Sequence, residues 1–123
     1  MRIAATLTAL VFAAACAHAD EAPPALAGDW TVDLSTDPAT PYTKGMTLNL
    51  APGGAVTGAF YNSVIEAGRW RMDRGRTCVS FRTTDGAGPY HSAACLVGDR
   101  VEGQTWAEHR AFLFNWNAVR TRP

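Results

Sequence analysis

Few residues in this chain of 123 are suited by type and spacing to acid–base chemistry. Glu108 and His109 are adjacent, and together they supply an acid and a base. Arg110 follows them, and a short run of charges is typical of a solvated turn. We therefore interpret these three residues as a turn. An enzyme that uses this turn, Glu66 or Arg69 is the weakest of three functional alternatives.

Motifs for metal binding and for nucleophilic catalysis are missing from the sequence. Beyond residue 19 the histidines are His91 and His109, and no His-x-His or Cys-x-x-Cys spacing occurs. No serine lies in a Gly-x-Ser-x-Gly elbow. We expect no catalytic residue, no metal and no cofactor.

The charge balance limits the classes of partner. Eleven basic and eleven acidic side chains give a formal net charge of zero. A protein that binds the phosphate backbone of a nucleic acid carries a basic excess, so we expect no nucleic-acid partner. A polybasic surface for anionic membranes is equally missing. The oligomeric state stays open.

The N-terminal residues 1–19 have the features of an export signal. Arg2 supplies a positive charge, and residues 3–15 form an apolar run that is shorter than the roughly 20 residues needed to span a bilayer. Ala17-His18-Ala19 matches the small-x-small cleavage pattern. We expect a flexible leader over residues 20–26, a single domain over residues 27–123, and a periplasmic or secreted protein.

Cys16 leaves a second form of export open. Residues 13–16, Ala-Ala-Ala-Cys, resemble the lipobox of bacterial lipoproteins. In such proteins the cysteine is lipidated, so membrane attachment is expected only if Cys16 carries a lipid.

The two other cysteines, Cys78 and Cys95, are predicted to form a disulfide. An even pair in a small exported domain is typical of a single bridge. A hairpin turn centred on Gly86-Ala87 places the two residues directly opposite each other on antiparallel strands. Their expected Cα separation of about 4.5–5.5 Å suits a disulfide. The alternative is a pair of free buried thiols.

Alternating apolar and polar residues predict eight strands in a meander. Trp30, Val32 and Leu34 share one face of the first strand, and short turns separate the strands that follow. The last strand extends from Phe112 to Arg120. A sheet of eight strands with one apolar face closes readily, because closure removes its edges. The fold class is therefore all-β, an eight-stranded antiparallel up-and-down barrel with one disulfide.

The inward face of this barrel has a bulky region and a small region. The bulky residues are Trp30, Trp70, Phe81, Phe112, Phe114 and Trp116. The small residues are Gly58, Gly68, Ser92, Ala94, Gly103 and Thr105. Facing small residues leave volume, which either forms a cavity or is filled by the neighbouring aromatic rings.

Residues 28–30, Gly-Asp-Trp, resemble the Gly-x-Trp signature of the calycins, the group of the lipocalins and avidins. In that group a basic residue of the last strand packs across the tryptophan, so the resemblance implies a structural contact between Trp30 and Arg120. Residues 54–58 are similar to the second hairpin of the avidins. Phe60 and Asn62 stand where that match expects Tyr and Ser, so biotin binding is not implied.

Two further functional alternatives follow. The first is a barrel that binds a small apolar or aromatic ligand in its interior, under the long loop of residues 35–44. The second is a protein-interaction module, a protease inhibitor or an envelope factor, that acts through loops 35–44 and 85–89. The candidate ligand-binding residues are Trp70, Phe81, Ser92, Thr105, Phe112, Phe114, Trp116 and Tyr42.

Overall fold

A computed structural model describes residues 25–122, together with positions 4 and 9. The predicted export signal, Cys16 and most of the predicted leader lie outside the described residues. The described chain forms nine strands, β1 (Gly28–Asp33), β2 (Thr43–Leu50), β3 (Ala55–Phe60), β4 (Ser63–Val64), β5 (Glu66–Asp73), β6 (Arg76–Thr84), β7 (Pro89–Val97), β8 (Arg100–Ala107) and β9 (Phe112–Arg120). A single turn of 3-10 helix, Glu108–Arg110, precedes β9. Over these described positions no helix has the length and apolar character needed to cross a membrane.

The strands close into an antiparallel barrel. The sheet order is β2-β1-β9-β8-β7-β6-β5-β3-β4, and an additional β2–β3 pairing closes the ring. Eight strands form the barrel wall, which confirms the predicted fold class, and β4 pairs only with the edge of β3. The sequence did not predict β4 because two residues are too few for a periodic pattern. A tight turn forms it, with positive φ at Tyr61 and Asn62.

The strand register follows the alternation of side chains. Met46 pairs with Phe60, and Trp70 pairs with Val79, as the turn lengths predict. A register slip of one residue would move every apolar side chain of a strand to solvent, so the pattern specifies the pairing strongly. The register shifts once, between Glu66 and Arg69, where Ala67 has a φ of 50°.

The predicted disulfide joins Cys78 of β6 to Cys95 of β7. The two residues are register partners, and their Cα atoms lie 4.0 Å apart. Their strand neighbours Val79 and Ala94 are buried in the core, so the bridge lies on the outer face of the barrel. Such a bridge is typical of proteins in an oxidising compartment outside the cytosol.

The end of the barrel that contains Trp30 is sealed. The Trp30 ring is 1% exposed, and its indole Nε1 donates a hydrogen bond to the carbonyl of Leu26 at 2.9 Å. The guanidinium of Arg120 lies 4.1 Å from the centre of the ring, the contact that the calycin resemblance implies. Leu26 is itself fully buried. The packed domain therefore includes Ala25 and Leu26, which the sequence prediction placed in the leader.

Gly28 allows this seal to form. It has a φ of +118°, and a Cβ there would lie 2.6 Å from a guanidinium nitrogen of Arg120. The same guanidinium donates hydrogen bonds to the carbonyls of Ala25 and Ala27. The glycine two residues before the tryptophan thus makes room for the cation that covers the ring.

Candidate functional site

A pocket of about 450 Å³ opens at the end of the barrel opposite Trp30. The strands alternate in direction, so this rim collects the end of β1, β3 and β6 and the beginning of β7 and β9. The loop between β1 and β2 contributes Thr36 and Tyr42 to one side of the mouth.

The inner wall of the pocket is apolar and mainly aromatic. Leu34, Phe60, Phe112 and Phe114 line it. Phe112 and Phe114 are stacked, with ring centres 5.3 Å apart. These two positions alternate with outward residues on β9, which puts both rings on the inner side of the wall. Phe112 is 42% exposed, so part of its ring borders solvent at the mouth.

A chain of polar groups lies on one side of the mouth. The hydroxyl of Tyr90 donates to a carboxylate oxygen of Asp85 at 2.7 Å, and Nη1 of Arg110 donates to the same hydroxyl at 3.4 Å. The other oxygen of Asp85 accepts the backbone N–H of Ala87 at 2.9 Å. The Tyr90 hydrogen bond, with the Ala87 amide, holds the pKa of Asp85 below its usual value.

A pair of tyrosines lies on the other side of the mouth. The hydroxyls of Tyr42 and Tyr61 are hydrogen bonded to each other. This bond raises the pKa of Tyr61, while the positive charges of Lys44 and Arg110 act in the opposite direction. The Lys44 ammonium lies 5.4 Å from the ring centre of Tyr42 and 5.1 Å from that of Tyr61. The mouth therefore combines aromatic rings with two cations and one carboxylate.

Three of the eight candidate ligand-binding residues meet in this pocket. Phe112 and Phe114 form part of its wall, and Tyr42 lies on its rim. The long loop between β1 and β2, under which a ligand was expected to bind, also borders the mouth. The sequence analysis did not identify which other residues would join these three.

The other five candidates lie in the packed interior or at its far edge. Ser92 and Thr105 share a hydrogen bond of 2.7 Å between their hydroxyls, and Trp116 Nε1 donates to Thr105 at 2.9 Å. Phe81 packs against Phe60 with ring centres 5.4 Å apart, behind the pocket wall. Trp70 donates to the carbonyl of Ala51 in the β2–β3 turn at 2.7 Å, away from the pocket.

The small inward glycines do not leave a cavity, so of the two alternatives for this region the structure favours the filled interior. A Cβ on Gly103 would lie 2.3 Å from the Trp116 ring. A Cβ on Gly58 would lie 1.9 Å from the carbonyl oxygen of Thr47, and one on Gly68 would lie 2.3 Å from that of Val56. A large ring and close backbone therefore fill the space that the missing side chains leave.

Most pocket residues were missed in the sequence because they are scattered along it. Arg110 was interpreted as a turn residue and Asp85 as part of the candidate interaction loop 85–89, while Thr83, Tyr90 and Tyr61 were not singled out. Strand direction is the signal that identifies them. In an up-and-down barrel the residues that end one strand and begin the next meet at one rim.

Two of the residues considered for acid–base chemistry, Glu66 and His109, have contacts with neighbouring side chains. Glu66 forms an ion pair with Arg82 at 3.3 Å, with both side chains about half exposed. His109 packs edge-on against Tyr90, with ring centres 5.0 Å apart. Within residues 25–122 no three His, Cys, Asp or Glu side chains are grouped as a metal site requires.

No protein-family model, curated protein or solved structure matches this chain.

Proposed function

We propose that this protein binds a small apolar or aromatic organic molecule in the pocket opposite Trp30. The observation that carries the proposal is an aromatic-walled pocket of about 450 Å³ at the one unsealed end of the barrel described. Small-molecule sites usually have volumes of roughly 300–1,000 Å³, mostly apolar walls and a few polar groups. Leu34, Phe60, Phe112 and Phe114 supply the walls, and the tyrosines of the rim supply the polar groups.

The apolar wall supplies most of the binding free energy in this proposal. Removing apolar surface from water gains about 25 cal/mol per Å². A ligand that buries on the order of 300 Å² of apolar surface gains about 7 kcal/mol before the cost of association. We therefore expect affinities in the micromolar range or weaker for simple aromatic probes.

Fluorescence titration with N-phenyl-1-naphthylamine, a neutral aromatic dye, tests the proposal. Phe114→Ala should weaken binding about five- to tenfold, because roughly 50 Å² of apolar contact at about 25 cal/mol per Å² is about 1.3 kcal/mol. Leu113→Ala is the matched control, since Leu113 is the next residue of β9 and is 53% exposed on the outer face. Its affinity for the dye should equal that of the unmodified protein.

A second pair of variants blocks the mouth instead of trimming the wall. Ser63 lines the pocket, so Ser63→Trp should abolish dye binding. Ser80→Trp places the same ring on the exposed outer face of β6 and should leave binding intact. If the unmodified protein binds no dye, or Ser63→Trp binds as well as Ser80→Trp, the loop-mediated interaction with another protein replaces this proposal.

We also propose that the protein is exported to the periplasm or secreted, with lipid attachment through Cys16 as the alternative. The disulfide between Cys78 and Cys95 supports an oxidising location, and the pattern of residues 1–19 supports export. We further propose that the barrel is related to the calycins, and the contact between Trp30 and Arg120 supports this relationship. The intact mass of the purified protein tests the two proposals on export. A start at Asp20 supports soluble export, a lipidated Cys16 supports anchoring, and a retained N-terminus would contradict both.

A further inference from the structure

We infer that the ligand carries an anionic group, such as a carboxylate, which Arg110 binds at the mouth of the pocket with Lys44 nearby. This inference rests on the proposed ligand-binding function and specifies the chemical class of the ligand: an apolar or aromatic body with one negatively charged end. The inference follows from the hydrogen bonds and ring contacts that the charged side chains of the rim already make.

The guanidinium of Arg110 makes fewer contacts within the protein than that of Arg120 at the sealed end. The Arg120 guanidinium donates to two backbone carbonyls and covers the Trp30 ring. Arg110 lines the pocket, donates to the Tyr90 hydroxyl at 3.4 Å, and belongs to no ion pair within residues 25–122. A guanidinium has five N–H donors, so several remain for a carboxylate that approaches the mouth.

The carboxylate of Asp85 keeps its negative charge, but each of its oxygens already accepts a hydrogen bond from a group other than Arg110. One of its oxygens accepts the Tyr90 hydroxyl and the other accepts the Ala87 amide. Asp85 and Arg110 are the charged residues that line the pocket, and Lys44 adds a second positive charge beside the two rim tyrosines. The mouth therefore has a net excess of one positive charge among these three groups.

The aromatic rings of the rim argue against a cationic ligand. A ligand cation would bind the faces of electron-rich rings. The protein already places its own cations there: Lys44 lies over Tyr42 and Tyr61, and the Arg110 guanidinium lies 6.0 Å from the ring centre of Phe112. A second cation in the same mouth would be repelled by both.

Three ligands that share a naphthalene body and differ in charge test the inference. 1-Naphthaleneacetate is anionic, 1-naphthaleneacetamide is its neutral counterpart, and 2-(1-naphthyl)ethylamine is cationic. Each displaces N-phenyl-1-naphthylamine from the purified protein in a competition titration. We expect the acetate to bind about tenfold more tightly than the acetamide at low salt, as a hydrogen bond to a charged group allows. The amine should bind most weakly.

Variants assign this preference to Arg110. Arg110→Gln should reduce the acetate-to-acetamide affinity ratio to about one, and Lys44→Gln should reduce it by less. Arg76→Gln is the matched control, because Arg76 is an exposed arginine at the opposite end of β6, and it should preserve the ratio. Rising salt should reduce the preference, because screening weakens attraction between exposed charges.

The outcomes separate the inference from the function on which it rests. If the acetamide or the amine binds as tightly as the acetate, the anionic end is wrong while the ligand-binding proposal stands. If Arg110→Gln keeps the full preference for the acetate, Arg110 is not the group that binds the anion. If none of the naphthyl compounds displaces the dye and the dye itself does not bind, both proposals fall.

Discussion

The two ends of this barrel use aromatic and cationic residues in opposite ways. At the sealed end the Trp30 ring is 1% exposed, because a backbone carbonyl accepts its N–H and Arg120 covers its face. At the pocket end Phe112 and Phe114 stack on each other, yet Phe112 stays 42% exposed. An aromatic ring stabilises the fold where the chain closes over it, and forms a surface for recognition where the chain does not.

The two arginines show the same contrast. Arg120 donates to the carbonyls of Ala25 and Ala27, so its donors hold the segment before β1 against the barrel. Arg110 donates to a single side-chain group, the hydroxyl of Tyr90. Changes at the sealed end should therefore alter the free energy of unfolding, and changes at the pocket end should mainly alter binding.

The largest expected effect on stability is that of Trp30→Ala. Truncating a fully buried aromatic residue typically costs about 3–5 kcal/mol. Phe112→Ala at the pocket end should cost about 1 kcal/mol or less, because the ring is already partly in water. Urea unfolding of both variants measures the difference. Equal losses of unfolding free energy in the two variants would show that the aromatic residues of both ends stabilise the fold to the same extent.

The next effect concerns the filled interior behind the pocket. Gly103→Ala should destabilise the protein by about 1–3 kcal/mol, because the new Cβ meets the Trp116 ring and overpacks the core. Gly45→Ala is the matched control, since no atom lies within 4 Å of the added methyl group. A Gly103→Ala variant as stable as Gly45→Ala in urea unfolding would mean that the interior is hollow there after all.

A smaller effect is expected for the cation that covers Trp30. Arg120→Gln should lower the unfolding free energy by about 0.5–2 kcal/mol, the range for a cation over an aromatic ring. Arg100→Gln removes an exposed arginine paired with Glu102 on the outer face, and should change stability by at most about 0.5 kcal/mol. Thermal unfolding with both variants side by side distinguishes the two positions. If Arg120→Gln and Arg100→Gln have similar melting temperatures, the contact between Arg120 and Trp30 does not stabilise the fold.

The smallest expected effect is on the titration of Asp85 at the pocket end. Tyr90→Phe removes the main hydrogen bond that lowers this pKa, so the pKa of Asp85 should rise toward its usual 3.8. The Ala87 amide and the positive charge of His109 still act on the carboxylate. A lowered pKa in the folded state contributes stability above pH 3.8 that is lost as the pH falls through the lowered value.

NMR titration of the Asp85 carboxyl carbon checks this shift in both proteins. The unmodified protein should also lose more stability than Tyr90→Phe when the pH falls below about 3.8. An unchanged midpoint for Asp85 in Tyr90→Phe would mean that the Tyr90 hydroxyl does not hold the carboxylate.

The sequence predicted the strand pairing well because pairing is a local property. Turn lengths and the two-residue alternation together set which residues oppose each other, as the pairs Met46–Phe60 and Cys78–Cys95 show. The Gly-x-Trp resemblance added one long-range contact, between Trp30 and Arg120. Strand β4 was not predicted, because Tyr61 and Asn62 form a tight turn that interrupts the alternation of apolar and polar residues after Phe60.

The pocket was only partly predictable. Phe112, Phe114 and Tyr42 were identified from their types and their place on the inner face or the long loop. Ser92 and Thr105 were chosen for their small size, but they are hydrogen bonded to each other under the Trp116 ring. The size of the residues along one strand does not indicate which aromatic ring of a neighbouring strand packs over them.

By itself the sequence determined an all-β meander, its register and its disulfide, because side-chain alternation and short turns constrain each strand against the next. Only the tertiary structure decided where the interior is filled and where it opens. That depends on how far the strands are staggered around the closed ring and on the direction of each large side chain, which no local pattern records. The rim that unites Tyr42, Tyr61, Asp85, Tyr90 and Arg110 exists because closure brings the strand ends at that side together.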